Sequence, residues 1–91
     1  MMNLDPLDEI VALKQKAVAL RNRDKLDAAL EVLEQAEEKL EALLAEPALD
    51  RERRAKLAAE LADAHRMKGG VNRRRQRLDE ALDEYEAGAK V

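Results

Sequence analysis

Few positions in this chain resist helix outright. Proline occurs at Pro6 and Pro47 alone, and glycine only at Gly69-Gly70 and at Gly88. Between them run Ala, Leu, Glu, Arg and Lys, the five strongest helix formers, which supply 61 of the 91 residues. The fold expected is all-α. A chain of this length is one small domain that buries roughly 60 to 65% of its unfolded surface, with a core of Leu and Ala.

The interruptions divide the helices. Asp5-Pro6 opens the first, with a carboxylate at the N-cap, proline at the first helical position and Asp8 against the positive end of the dipole. Leu7, Ile10, Val11, Ala17 and Val18 follow helical spacing, with Lys14 in the intervening place. The polar cluster at 21–25 predicts a turn made by Asn22 or Asp24, with Asp24 capping a second helix over about 25–45. That helix carries Leu26, Leu33 and Leu40 at sevenfold spacing, and a solvated acidic strip of Glu31, Glu34, Glu38 and Glu41. Glu46-Pro47 ends it, because the residue before proline avoids helical geometry. Asp50 is the expected N-cap of a third helix, with Leu57, Ala58, Leu61, Ala64 and His65 on one face.

Gly69-Gly70 then poses a choice. Two glycines cost about 2 kcal/mol relative to alanine inside a helix, so either the helix stops there or close packing requires them. After Arg73, Arg74, Arg75 and Arg77 a fourth helix is expected, with Leu78, Ala81, Leu82 and Tyr85. The expected architecture is four antiparallel helices in two stacked hairpins: hairpin 1 over 5–46, a linker at 47–50 and hairpin 2 over 51–91. The last helix lacks a clear stop, which suggests part of a longer chain.

Slid against itself by 52 residues, the chain places residues 23–30 over 75–82 with five identities in eight positions. With Gly69, Leu78, Ala81, Leu82, Tyr85 and Gly88 in the second unit, and Ala17, Leu26, Ala29, Leu30, Leu33 and Ala36 in the first, the pattern resembles a divergent tetratricopeptide repeat pair. The usual spacing in that family is 34 residues. His65 and Lys68 stand where an aromatic and a leucine are expected, and no proline closes the unit. The resemblance implies a non-catalytic scaffold or adaptor that binds peptides or proteins, with the small residues permitting close helix approach.

The chemistry available is narrow. No Ser, Thr, Cys, Phe or Trp is present, and only one His and one Tyr. Hydroxyl and thiol nucleophiles, disulfides and thiolate metal sites are thereby excluded, and neither a catalytic residue, a metal nor a cofactor is expected. His65 reads as a core or boundary residue. The adjacent carboxylates Glu37-Glu38, Asp79-Glu80 and Asp83-Glu84 point in different directions on a helix and read as solvating charges.

The net charge of −3 hides blocks of −6 (residues 1–50), +7 (51–77) and −4 (78–91). Such blocks either pair helix against helix or offer a basic stripe to an acidic partner. The candidate binding residues are Lys14, Arg21, Arg66, Arg73, Arg74, Arg75 and Arg77, on a concave face that suits an acidic peptide, a partner protein or a neighbouring domain. The runner-up is self-association as a dimer through a seam of Leu43, Leu44, Leu49 and Leu57. Nucleic acid or phosphate ranks lower, since the chain is acidic overall and lacks aromatic platforms for bases. No stretch is long and apolar enough for a membrane span, and a cytoplasmic location is expected.

Overall fold

The structure, a computed structural model, describes residues 5–89, with side chains as far as Glu84. It contains three helices where the sequence predicts four: α1 (Pro6–Asn22), α2 (Leu26–Leu44) and α3 (Arg51–Ala89). α1 begins as predicted, with the Leu7 N–H donating to Asp5 Oδ1 at 2.9 Å and Pro6 next to the cap.

The turn after α1 is a Schellman motif. The Lys25 N–H donates to the Leu20 carbonyl and the Asp24 N–H to the Arg21 carbonyl, both at 2.9 Å, and Asp24 adopts φ 58°. Asp24 thus makes the turn, and the expectation that it also caps α2 is corrected: Lys25 stands at that N-cap without a side-chain bond. Asp50 does cap α3, its Oδ1 accepting from the Arg53 N–H at 2.7 Å. Arg54 donates to the Leu44 and Glu46 carbonyls at 3.3 and 3.4 Å, satisfying acceptors that the end of α2 leaves open.

The second hairpin does not form. α3 is continuous for 39 residues and passes through Gly69-Gly70 and the arginine run. Neither glycine has a positive φ, and a methyl group at either would meet nothing within 4 Å. Both alternatives for the glycine pair are therefore overturned, because the helix does not stop there and no close approach needs them. The 52-residue offset superimposes a turn on the interior of a helix.

α2 lies between α1 and α3 and packs on both, and two apolar clusters result. The upper one, at the end with the α1–α2 turn, holds Ala17, Leu26, Ala29, Val32, Leu33 and Val71, backed by Leu13, Leu20, Leu30 and Met67. The other holds Ile10, Leu40 and Leu57, backed by Leu7, Leu43, Leu44, Leu49 and Leu61. The proposed dimer seam is accordingly part of the internal core, with Leu57 wholly buried. Val11, Ala58 and His65, expected on buried faces, are exposed.

Charge fills the layer between the clusters. Lys14 is buried, and its Nζ bonds to Glu60 and, at 2.9 Å, to Asp63. Glu37 is buried as well, so it is not the solvating charge expected from sequence. His65 Nδ1 lies 3.4 Å from its Oε2, and Lys68 Nζ is 3.3 Å from its Oε1 without hydrogen-bond geometry.

From Asn72 to Glu84 every residue of α3 is exposed. This half of the helix projects past the hairpin, which stretches the molecule to 63 × 28 × 14 Å. Its radius of gyration is 17.2 Å, against roughly 12 Å for a compact chain of this length. Leu78, Ala81 and Leu82, predicted to pack within a second repeat, are exposed here, while Ala17, Leu26, Ala29 and Leu33 are buried and Leu30 partly so. The side chain of Tyr85 lies outside the described residues. No described helix is long and apolar enough to cross a membrane.

Candidate functional site

The arginine run is helical, so its members are separated by 100° steps around α3 and take different surroundings. Arg74 turns to the hairpin end and meets Asp24 at 2.7 Å. Arg75 lies one step round and meets Asp27 at 3.1 Å. These two pairs hold α3 to the turn between α1 and α2 at the point where it leaves the core. Arg73 and Arg77 are four residues apart and share a face, and neither forms an ion pair among the described residues.

Arg21 completes the arrangement from the last turn of α1. Among the described residues its guanidinium bonds only to the side chain of Asn22, at 3.5 Å, and it borders an open cleft of about 450 Å³ together with Gly70, Arg73, Arg74 and Arg77. No carboxylate among the described residues lines this cleft. Four guanidiniums thus surround one space, and among the described residues only that of Arg74 has an acidic partner. Gly70 leaves the floor open, since any side chain there would project from the same stretch of α3.

Of the seven basic residues singled out from sequence, the structure brings together Arg21, Arg73, Arg74 and Arg77. Arg75 faces the opposite side of the turn. Arg66 is outward, its side chain 79% exposed and 4.0 Å from Asp63. Lys14 is not a surface group at all. Burial pushes its pKa down, but the hydrogen bonds it donates to Glu60 and Asp63 outweigh this and hold it above the ordinary lysine value. Asp63 is held below the usual carboxylate range by its bond to Lys14, against an opposing effect of burial. The same occurs at the start of the bundle, where Arg53 and the Leu7 N–H lower the pKa of Asp5.

Sequence reasoning missed Gly70 as part of the site. The signal is a glycine beside an arginine run, which in sequence reads as a helix breaker or a packing contact. What the arrangement can do is accept anionic oxygens. Guanidiniums bind carboxylates through paired N–H donors, and several around one opening suit a ligand carrying more than one negative group. Comparison with known proteins adds no further constraint: no family model, no curated protein and no solved structure matches the chain.

Proposed function

We propose that the chain is a non-catalytic protein-interaction module that holds an acidic peptide segment in the cleft between the end of α1 and the middle of α3. The observation that carries this is the convergence of Arg21, Arg73, Arg74 and Arg77 on one opening that no carboxylate among the described residues lines. The absence of Ser, Thr and Cys supports a binding role over a catalytic one. A peptide is favoured over nucleic acid because the chain is net negative and has a single aromatic residue, Tyr85, too few for a platform that stacks successive bases.

The reading is tested by titrating a short glutamate-rich peptide against the whole chain. Binding should weaken at least about tenfold in Arg73→Glu/Arg77→Glu and fall with rising salt. Arg66→Glu, outside the cleft, should leave it unchanged. Circular dichroism should show equal helix content in all three proteins, since none of these side chains is buried. Equal affinity in the double variant and the parent would refute the assignment.

A further inference from the structure

The arginines of the cleft are set closely around one opening. At about 100° per residue, Arg73 and Arg74 stand one turn beyond Gly70 and roughly 60° and 40° to either side of it, while Arg77 lies two turns on and within about 20° of its line. Gly70 has no side chain, and a methyl group built there would meet nothing within 4 Å. An anionic group can therefore enter between the arginines as far as the surface of α3, with Arg21 facing it from the end of α1. Arg74 is held at the rim by Asp24, 2.7 Å away. Among the described residues Arg21, Arg73 and Arg77 have no acidic partner, so three guanidiniums are open to one ligand.

The basic face is also short. Glu80 and Glu84 follow Arg73 and Arg77 by seven residues, so each lies within about 20° of its arginine and roughly 10 Å further along the axis. Both are exposed. Among the described residues neither enters an ion pair, and Glu80 accepts only from Gln76, at 3.3 Å. A row of carboxylates laid along α3 from the cleft runs onto like charge, and so does a flat anionic surface such as a membrane. The arrangement favours negative charge concentrated in one small group. A carboxylate brings a single charge and two oxygens, which one guanidinium can satisfy. A phosphate monoester brings a charge of about −1.5 to −2 near pH 7 and three acceptor oxygens, which suits three.

Resting on the reading of the cleft as a peptide site, we propose that the acidic group it takes is a phosphate ester on the partner segment, with Arg21, Arg73 and Arg77 donating to its oxygens. Among the described residues no apolar side chain lines the cleft to receive a tyrosine ring, so the modified residue is a serine or threonine. It belongs to the partner, because this chain has neither.

Calorimetric titration of the whole chain with three peptides tests this: the glutamate-rich peptide, the same peptide with phosphoserine for its central glutamate, and that phosphopeptide with its remaining glutamates changed to glutamine. Both phosphopeptides should bind at least about tenfold tighter than the first. The phosphate loses its second charge near pH 6, so their affinity should fall severalfold from about pH 7.5 to about 5.5. The glutamate-rich peptide stays ionised over that range and should hold its affinity. Arg73→Gln/Arg77→Gln should cost the phosphopeptides at least about tenfold with helix content unchanged by circular dichroism. Binding of the glutamate-rich peptide with no gain from phosphoserine would overturn the phosphate assignment alone, and binding of none of the three would overturn the cleft reading as well. A gain that vanishes when the glutamates become glutamine would overturn the single compact group. Inorganic phosphate or vesicles bearing phosphoinositide that match the phosphopeptides in affinity would overturn the partner segment as its source.

Discussion

Lys14 shows how strongly a single position depends on its surroundings. On the helical wheel of α1 it interrupts an apolar face, and in the folded chain it bridges that face to α3 through Glu60 and Asp63. Its partners remain 35% and 49% exposed, so water screens them and the net contribution stays modest. The sign of the pH dependence follows from the two shifts. Asp63 has a lowered pKa, so its contribution is present above about pH 3.9, its unfolded value, and is lost as pH falls through the folded value. Lys14 has a raised pKa, so its contribution is present below about pH 10.4 and is lost as pH rises through the folded value. Lys14→Met, which keeps the stem and removes the charge, should change stability near neutral pH by no more than about 1 kcal/mol. It should also remove the alkaline loss and soften the acid one, leaving the part due to Asp5 and Arg53. Urea denaturation of both proteins across pH is the measurement, and an unaltered alkaline limb in the variant would contradict the assignment.

At the scale of elements, the informative case is α3. Helix propensity sets two glycines against it by about 2 kcal/mol, yet the chain does not turn there. A turn would need a left-handed residue, as Asp24 provides between α1 and α2, and it would have to displace Met67 and Val71 from the upper cluster. It would also break the Arg74–Asp24 and Arg75–Asp27 pairs that follow. Packing and ion pairing on both sides of the glycines outweigh their local cost. Because a methyl group fits at either position, Gly69→Ala and Gly70→Ala should each stabilise the protein by about 1 kcal/mol. For a chain of this size each should raise Tm by roughly 4 to 8 °C in a thermal melt. A drop in Tm for Gly69→Ala would mean that the space beside it is not open. Gly70→Ala carries a second reading, since its methyl group enters the floor of the arginine cleft and so separates stability from peptide affinity.

For the whole molecule, stability is concentrated in the part of α3 that α2 covers. Leu40→Ala removes a wholly buried side chain from the lower cluster and should cost about 2 to 5 kcal/mol. Leu82→Ala removes one that is 59% exposed and should change the stability of the monomer by less than about 0.5 kcal/mol. Chemical denaturation at low protein concentration reads both, and equal losses would mean that the projecting half belongs to the core. The elongated outline has the same origin. α3 is about 58 Å long at 1.5 Å per residue and accounts for most of the 63 Å length, because the two helices that could cover it are half as long.

What the amino-acid order decides alone are the features with local causes. The all-helical class, the start of α1 at Asp5-Pro6, the end of α2 before Pro47 and the cap at Asp50 each rest on the geometry of one or two residues, and all are legible without a fold. So are the buried leucines of α2, whose spacing follows the helical period. What the tertiary structure alone decided are the features that depend on which surfaces meet. The sequence leaves Gly69-Gly70 open between a helix stop and a close-packing contact, and long-range packing carries the helix through with neither. The seven basic candidates look alike in sequence, but the angular steps of α3 and the end of α1 sort them into a buried bridge at Lys14, an outward Arg66, the ties Arg74 and Arg75 at the turn, and an open cluster of Arg21, Arg73 and Arg77 beside Gly70. Leu57 and Leu78 occupy the same heptad place, and only the length of α2 makes one core and the other surface. Local chemistry selects elements, whereas burial is shared between elements and is settled only when they pack.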